Sequence, residues 1–146
     1  MLFVVTGPPA AGKSSWIEAR ARARDIVIDL DRITRALTGP GAPQWNHNPT
    51  VTRVALRARY AAIDEALKYT DTVDVYLIHT MPSPKWLARY RRHGGKIITV
   101  DPGEALVRQR VRDMRHPGMD AVVTRWYRHH RRGGSRPVTG QASRAW

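Results

Sequence analysis

At 146 residues the chain is long enough for one domain with a real core, and the absence of cysteine excludes disulfides and thiolate metal sites. Lys and Arg number 25 against 12 acidic residues, a formal charge of +13. Such a field favours polyanions, nucleic acid first, because neutralised phosphates release counterions; a solvated arginine-rich surface is the alternative. No apolar run approaches the roughly 18 residues of a membrane span, so no membrane partner and a cytoplasmic location are expected. The six histidines show no metal-ligand spacing, which argues against structural zinc.

Leu2-Phe3-Val4-Val5 opens the chain as an apolar, β-branched strand. Gly7-Pro8-Pro9-Ala10-Ala11-Gly12-Lys13-Ser14 follows and fits G-x-x-x-x-G-K-[ST], the Walker A phosphate-binding loop. Ser15 to Arg22 then reads as a helix without a breaker. Strand, glycine loop and helix stand in the order that turns successive backbone N–H groups onto phosphate oxygens at a helix N-terminus. Gly7 to Ser15 are therefore the expected nucleotide cradle for ATP or another nucleoside triphosphate. Lys13 should reach the β/γ-phosphates, and the Ser14 hydroxyl should bind Mg²⁺.

Asp25 to Asp29 reads as a short buried second strand, and Leu30 to Leu37 as a helix at its carboxyl edge. Ligands collect at that edge of an open α/β sheet, so Asp29 and Asp31 are expected near the triphosphate. Asp31 and Arg35 fall on one helix face: a carboxylate able to accept a hydroxyl proton beside an arginine able to hold an acceptor phosphate, or a plain surface pair. Thr38 to Thr50 is a Gly/Pro/Asn-rich loop whose Trp45 and His47 could stack on a base or anchor the loop.

Val51 to Tyr69 is the longest expected helix, with Val54, Ala55, Ala58, Ala61, Ala62, Ala66 and Leu67 inward and Arg53, Arg57, Arg59 and Lys68 outward. Val73 to His79 is the third strand, its end His79-Thr80 expected to face the cleft and contact the acceptor. Ser83 caps a helix from Pro84 to Arg92, stopped by Gly94-Gly95, and Lys96 to Val100 is the fourth strand. Asp101-Pro102-Gly103-Glu104 is a capping-box variant that opens a helix carrying Arg108, Arg110, Arg112 and Arg115 up to His116-Pro117-Gly118, a candidate hinge. Arginines closing over the loop are what phosphoryl transfer requires. A last helix from Met119 to about Arg131 packs Val122, Val123, Trp126 and Tyr127, and residues 132–146 read as a basic flexible tail. The alternation predicts an α/β P-loop NTPase fold of the nucleoside-kinase type, with four or five parallel strands, flanking helices and an arginine-rich lid over residues 1–131.

GPPAAGKSSW, Ile28-Asp29-Leu30-Asp31-Arg32, the strand Val73 to His79 and the closing Arg125-Trp126-Tyr127 together resemble the kinase domain of the bacteriophage polynucleotide 5′-hydroxyl kinase family, among the small AAA/zeta-toxin-like P-loop kinases. The resemblance implies transfer of the ATP γ-phosphate to a 5′-hydroxyl of DNA or RNA, as in end repair. It makes Asp31 the general base and Lys13 and Arg112 its catalytic partners, with Arg108 and Arg115 on the nucleotide. Arg32, Arg35, His79 and Thr80 would face the acceptor. The family's acceptor arginine is Thr34 here, with Arg35 adjacent, and its third-strand Asp is His79. The family's phosphatase motif is absent, and the tail is similar to the lead-in of a nuclease module, which would make the chain part of a larger repair or modification enzyme. A hydroxymethylated base in phage DNA or a small molecule is the alternative acceptor. A nucleic-acid-binding ATPase is the alternative class.

Overall fold

A computed structural model describes residues 1–43, 47–114 and 118–132. Trp45, Arg115, His116, Pro117 and the tail beyond Arg132 lie outside the described residues. Four parallel strands form one sheet: β1 (Leu2–Thr6), β2 (Ile26–Ile28), β3 (Val75–Ile78) and β4 (Lys96–Thr99), in spatial order β2-β3-β1-β4. The expected fold class holds, with four strands among the described residues. The central strands β1 and β3 carry the apolar runs because helices cover both their faces, as parallel sheets require. β2, expected to be buried, is an edge strand with only Ile28 fully covered.

One face packs Leu2, Val4, Ile63, Val75, Leu77 and Tyr90; the other packs Val5, Ile17 and Tyr76. The helices are α1 (Lys13–Glu18), α2 (Leu30–Leu37), α3 (Pro49–Ala66), α4 (Pro84–Arg92), α5 (Glu104–Met114) and α6 (Met119–Arg132). Helix α1 is shorter than expected, since the Arg22 N–H turns to the Asp25 carboxylate at 2.7 Å, folding the chain back toward β2. Helix α4 starts as read, with Ser83 capping and Pro84 at its first position.

Two local expectations fail. Asp101 does not cap α5 in a capping box: its Oδ1 accepts from the Gly103 N–H and from the Tyr127 hydroxyl, and the helix begins at Glu104. Glu104 instead pairs with Arg108 and Arg131, since two guanidiniums outbid one peptide N–H for its carboxylate. On α3 the buried stripe is Ala55, Arg59, Ile63 and Ala66, so Arg59 lies inward while Val54, Ala58 and Ala61 are exposed. Ile63 sets that face, and alanines tolerate either side, so the small residues misdirect the pattern.

Helices α5 and α6 form a separate hairpin with its own small core of Val107, Val111, Val123, Trp126 and Tyr127. Its ties to the sheet include the Trp126 indole N–H to the Thr80 carbonyl at 3.1 Å and the Arg110 guanidinium to the Ala10 carbonyl at 3.0 Å. The hairpin thus spans from the phosphate loop to the end of β3, roofing the sheet's carboxyl edge.

Candidate active site

The loop between β1 and α1 is shaped by backbone angles that its glycines allow. Gly7 has φ +143°, and a Cβ there would sit 2.1 Å from the Val100 carbonyl oxygen. Only glycine permits that approach. Gly12 caps α1 at φ +93°, and Ala10 sits at φ +57°, a left-handed angle that costs a non-glycine residue about 1 kcal/mol. The Ala10 carbonyl, turned by that angle, is the one Arg110 holds.

Lys13 bridges the loop from inside, donating to the Gly7 and Pro8 carbonyls at 3.0 and 2.6 Å. Burial pushes its ammonium down to about 8, against the opposing pull of Asp29 and Asp31. Asp29 is 7% exposed, and its Oδ1 caps α2 by accepting the Asp31 N–H at 3.0 Å. Its Oδ2 accepts from the Ser14 hydroxyl at 3.5 Å, and burial raises its carboxyl above the usual range. A hydroxyl and a carboxylate side by side under the loop are the hard oxygen donors that suit Mg²⁺, which takes few protein ligands and leaves the rest to phosphates and water. Ser14 and Asp29 would hold it.

These groups open into a cavity of about 920 Å³, lined from the loop by Pro9 to Ser14 and from α2 by Asp29, Leu30 and Asp31. The end of β3 contributes Ile78, His79, Thr80 and Met81, and α3 contributes Arg59. Arg110, Asp113, Met114, Met119, Val122, Arg125 and Trp126 supply the hairpin side. Asp31 is exposed at its rim.

His79 and Thr80 face the cavity, as expected. His79 Nδ1 lies 2.8 Å from the Tyr90 hydroxyl, and burial, aided by Arg59, pushes the imidazole down to about 4. It is a neutral polar wall, not an acid-base group near pH 7. Burial moves Tyr90 the other way, up to about 12.

A family model, described as AAA domain (AAA_33), matches residues 2–132. The chain belongs to this family. It is accordingly a P-loop nucleotide-binding protein of kinase or ATPase type, and the match includes the strand–loop–helix at its N-terminus. A search of curated proteins gives no match.

Several expected members of this AAA-domain site are placed elsewhere. Gly7, Pro8 and Ser15 shape the loop without lining the cavity. Arg32 and Arg35 are exposed on α2 and do not line it, and Thr34, at the motif position of an arginine, is buried with its hydroxyl on the Leu30 carbonyl. Arg112 is exposed and off the cavity, and Arg108 is tied to Glu104, Asp120 and Thr124 on the far flank of the hairpin. Val107 and Val111 fix the buried face of α5; Arg108 and Arg112 fall on one flank of it and Arg110 on the other. The flank that meets the loop is that of Arg110. Asp29 lines the cavity as expected; of the other lining residues, Arg59 is expected outward, Arg110 is one of four lid candidates and not the preferred one, and Arg125 has no assigned site role. Asp29 had a visible signal in its place between β2 and α2, whereas Arg59 had none.

Proposed function

We propose that the protein is an ATP-dependent phosphotransferase acting on a hydroxyl acceptor, with the 5′-hydroxyl of DNA or RNA as that acceptor. One observation carries this: the phosphate loop, a rim carboxylate and two lid arginines meet around a single cavity. The loop and Lys13 grip the phosphates of the nucleoside triphosphate. Asp31 accepts the proton of the acceptor hydroxyl as its oxygen bonds to the γ-phosphorus and the bond to the β-phosphate oxygen breaks, releasing nucleoside diphosphate. Arg110 and Arg125 face the charge that spreads over the transferring group. Mg²⁺ at Ser14 and Asp29 would add positive charge to the phosphates. The net charge of +13 supports a polyanionic acceptor.

Met114, Met119 and Val122 of the hairpin, with Met81 from the end of β3, give the cavity an apolar wall, which favours, as a second acceptor, a flipped hydroxymethylated base or a compact small molecule. Incubation with γ-labelled ATP and 5′-hydroxyl oligonucleotides separates these. Label at the 5′ end supports the first acceptor, label on a modified base the second, and free phosphate alone would make the protein an ATPase. Asp31→Ala should abolish transfer and leave Mg·ATP affinity within about threefold; retained transfer removes Asp31 as the base.

A further inference from the structure

We propose that Arg59 forms an anion subsite in the cavity floor that binds a phosphate group carried by the acceptor, a step that rests on the kinase reading above. Arg59 is 7% exposed and lines the cavity from α3. One of its terminal amines donates to the Ile78 carbonyl at 2.9 Å, which anchors the guanidinium at the carboxyl end of β3. Its Nε is buried with no hydrogen-bond partner, and no carboxylate among the described residues forms an ion pair with it. A buried cation without a counter-ion is costly, and such groups are normally paired or bound to a ligand.

The charges around it leave the cation uncompensated. His79, beside it at the strand end, bears no negative charge, and Tyr90, hydrogen-bonded to His79 Nδ1, stays neutral because burial raises its hydroxyl to about 12. Asp29 is the carboxylate whose field reaches Arg59, and it is already committed to the Ser14 hydroxyl and the Asp31 N–H. At the β3 end of the cavity lining, therefore, a fixed positive charge is held ready for an anion. It takes over the acceptor-anchoring role for which Thr34 is the wrong residue and Arg35 is wrongly placed. A planar guanidinium suits a phosphate monoester or diester. That phosphate can come from a nucleic-acid backbone or from a small phosphorylated metabolite.

The test is titration calorimetry on the full chain with the loop filled by saturating Mg·AMP-PNP. The probes are inorganic phosphate, a dinucleotide with a free 5′-hydroxyl, and glycerol 3-phosphate. Wild type should bind phosphate, Arg59→Met should lose at least about tenfold, and Arg59→Lys should lose less, with Mg·AMP-PNP affinity within about twofold throughout. A tighter dinucleotide assigns the phosphate to nucleic acid, and a tighter glycerol phosphate to a metabolite; both support the subsite. If Arg59→Met does not fold, the comparison of Arg59→Lys with wild type decides, and equal phosphate affinity overturns the subsite. It is also overturned if wild type binds no phosphate, if Arg59→Met binds it as wild type does, or if the loss falls on Mg·AMP-PNP instead. Loss of phosphate binding in a protein that transfers no label would refute the kinase and keep the subsite; unchanged binding in an active kinase would do the reverse.

Discussion

Lys13 makes nucleotide binding a proton-linked event. Its ammonium is held near 8 because the loop takes it out of water with only carbonyls and two partly offsetting carboxylates around it. Phosphate oxygens favour the charged form, so bound nucleotide should return the value to at least its ordinary 10.5. Between pH 7.5 and 9.5 the free protein loses a proton that the complex keeps, and affinity should fall about twentyfold, about 1.8 kcal/mol. At pH 8.5 binding should take up about three-quarters of a proton. Calorimetry with Mg·ADP in two buffers of different ionisation heat reads both quantities, since the phosphates are already ionised in this range. Lys13→Met should bind weakly with no pH slope. A flat wild-type affinity from pH 7.5 to 9.5, or no proton uptake at 8.5, would refute the buried, depressed lysine. The same shift acts on folding: the unfolded chain binds the extra proton between about 8 and 10.5, so the unliganded protein should gain stability as pH rises through that window.

Gly7→Ala should cost about 2–4 kcal/mol in urea unfolding, from the positive φ and a Cβ driven into the Val100 carbonyl; a loss under about 1 kcal/mol would contradict that approach. Arg110→Ala should slow transfer at least about tenfold while Arg112→Ala stays within about twofold, a reversal of which would restore Arg112 to the lid. His79 should show no NMR titration between pH 5.5 and 8, because its folded value is about 4. The unfolded chain then binds the extra proton as pH drops from 6.5 toward 4, so this residue lowers stability on acidification; a midpoint near 6.5 would mean the ring is solvated.

Much of the fold is legible in the chain because its signals are local. The β-branched runs, the Ser83-Pro84 start, the Gly94-Gly95 stop and the loop pattern each act within a few residues. The order of elements, and the crowding of Asp29, Asp31, His79 and Thr80 at the carboxyl edge, follow from alternation alone. The misses involve competition between distant groups. Glu104 leaves its cap for Arg131, and Asp101 takes the Tyr127 hydroxyl; these partners lie 27 and 26 residues away.

By itself, then, the sequence determined the phosphate loop, its Lys13 and Ser14, and the presence of an arginine-bearing α5. Val107 and Val111 are the buried face of α5, and the two flanks of a buried face are equivalent until something packs against one. Tertiary structure decided that Arg110, not Arg108 or Arg112, meets the Ala10 carbonyl, because the hairpin docks by that flank. It also decided that Arg59 is buried on the Ile78 carbonyl, since Ile63 turns α3 inward and carries Arg59, one turn earlier, to the cavity floor. A helix pattern cannot anticipate a charge that is buried because a strand end offers it an oxygen.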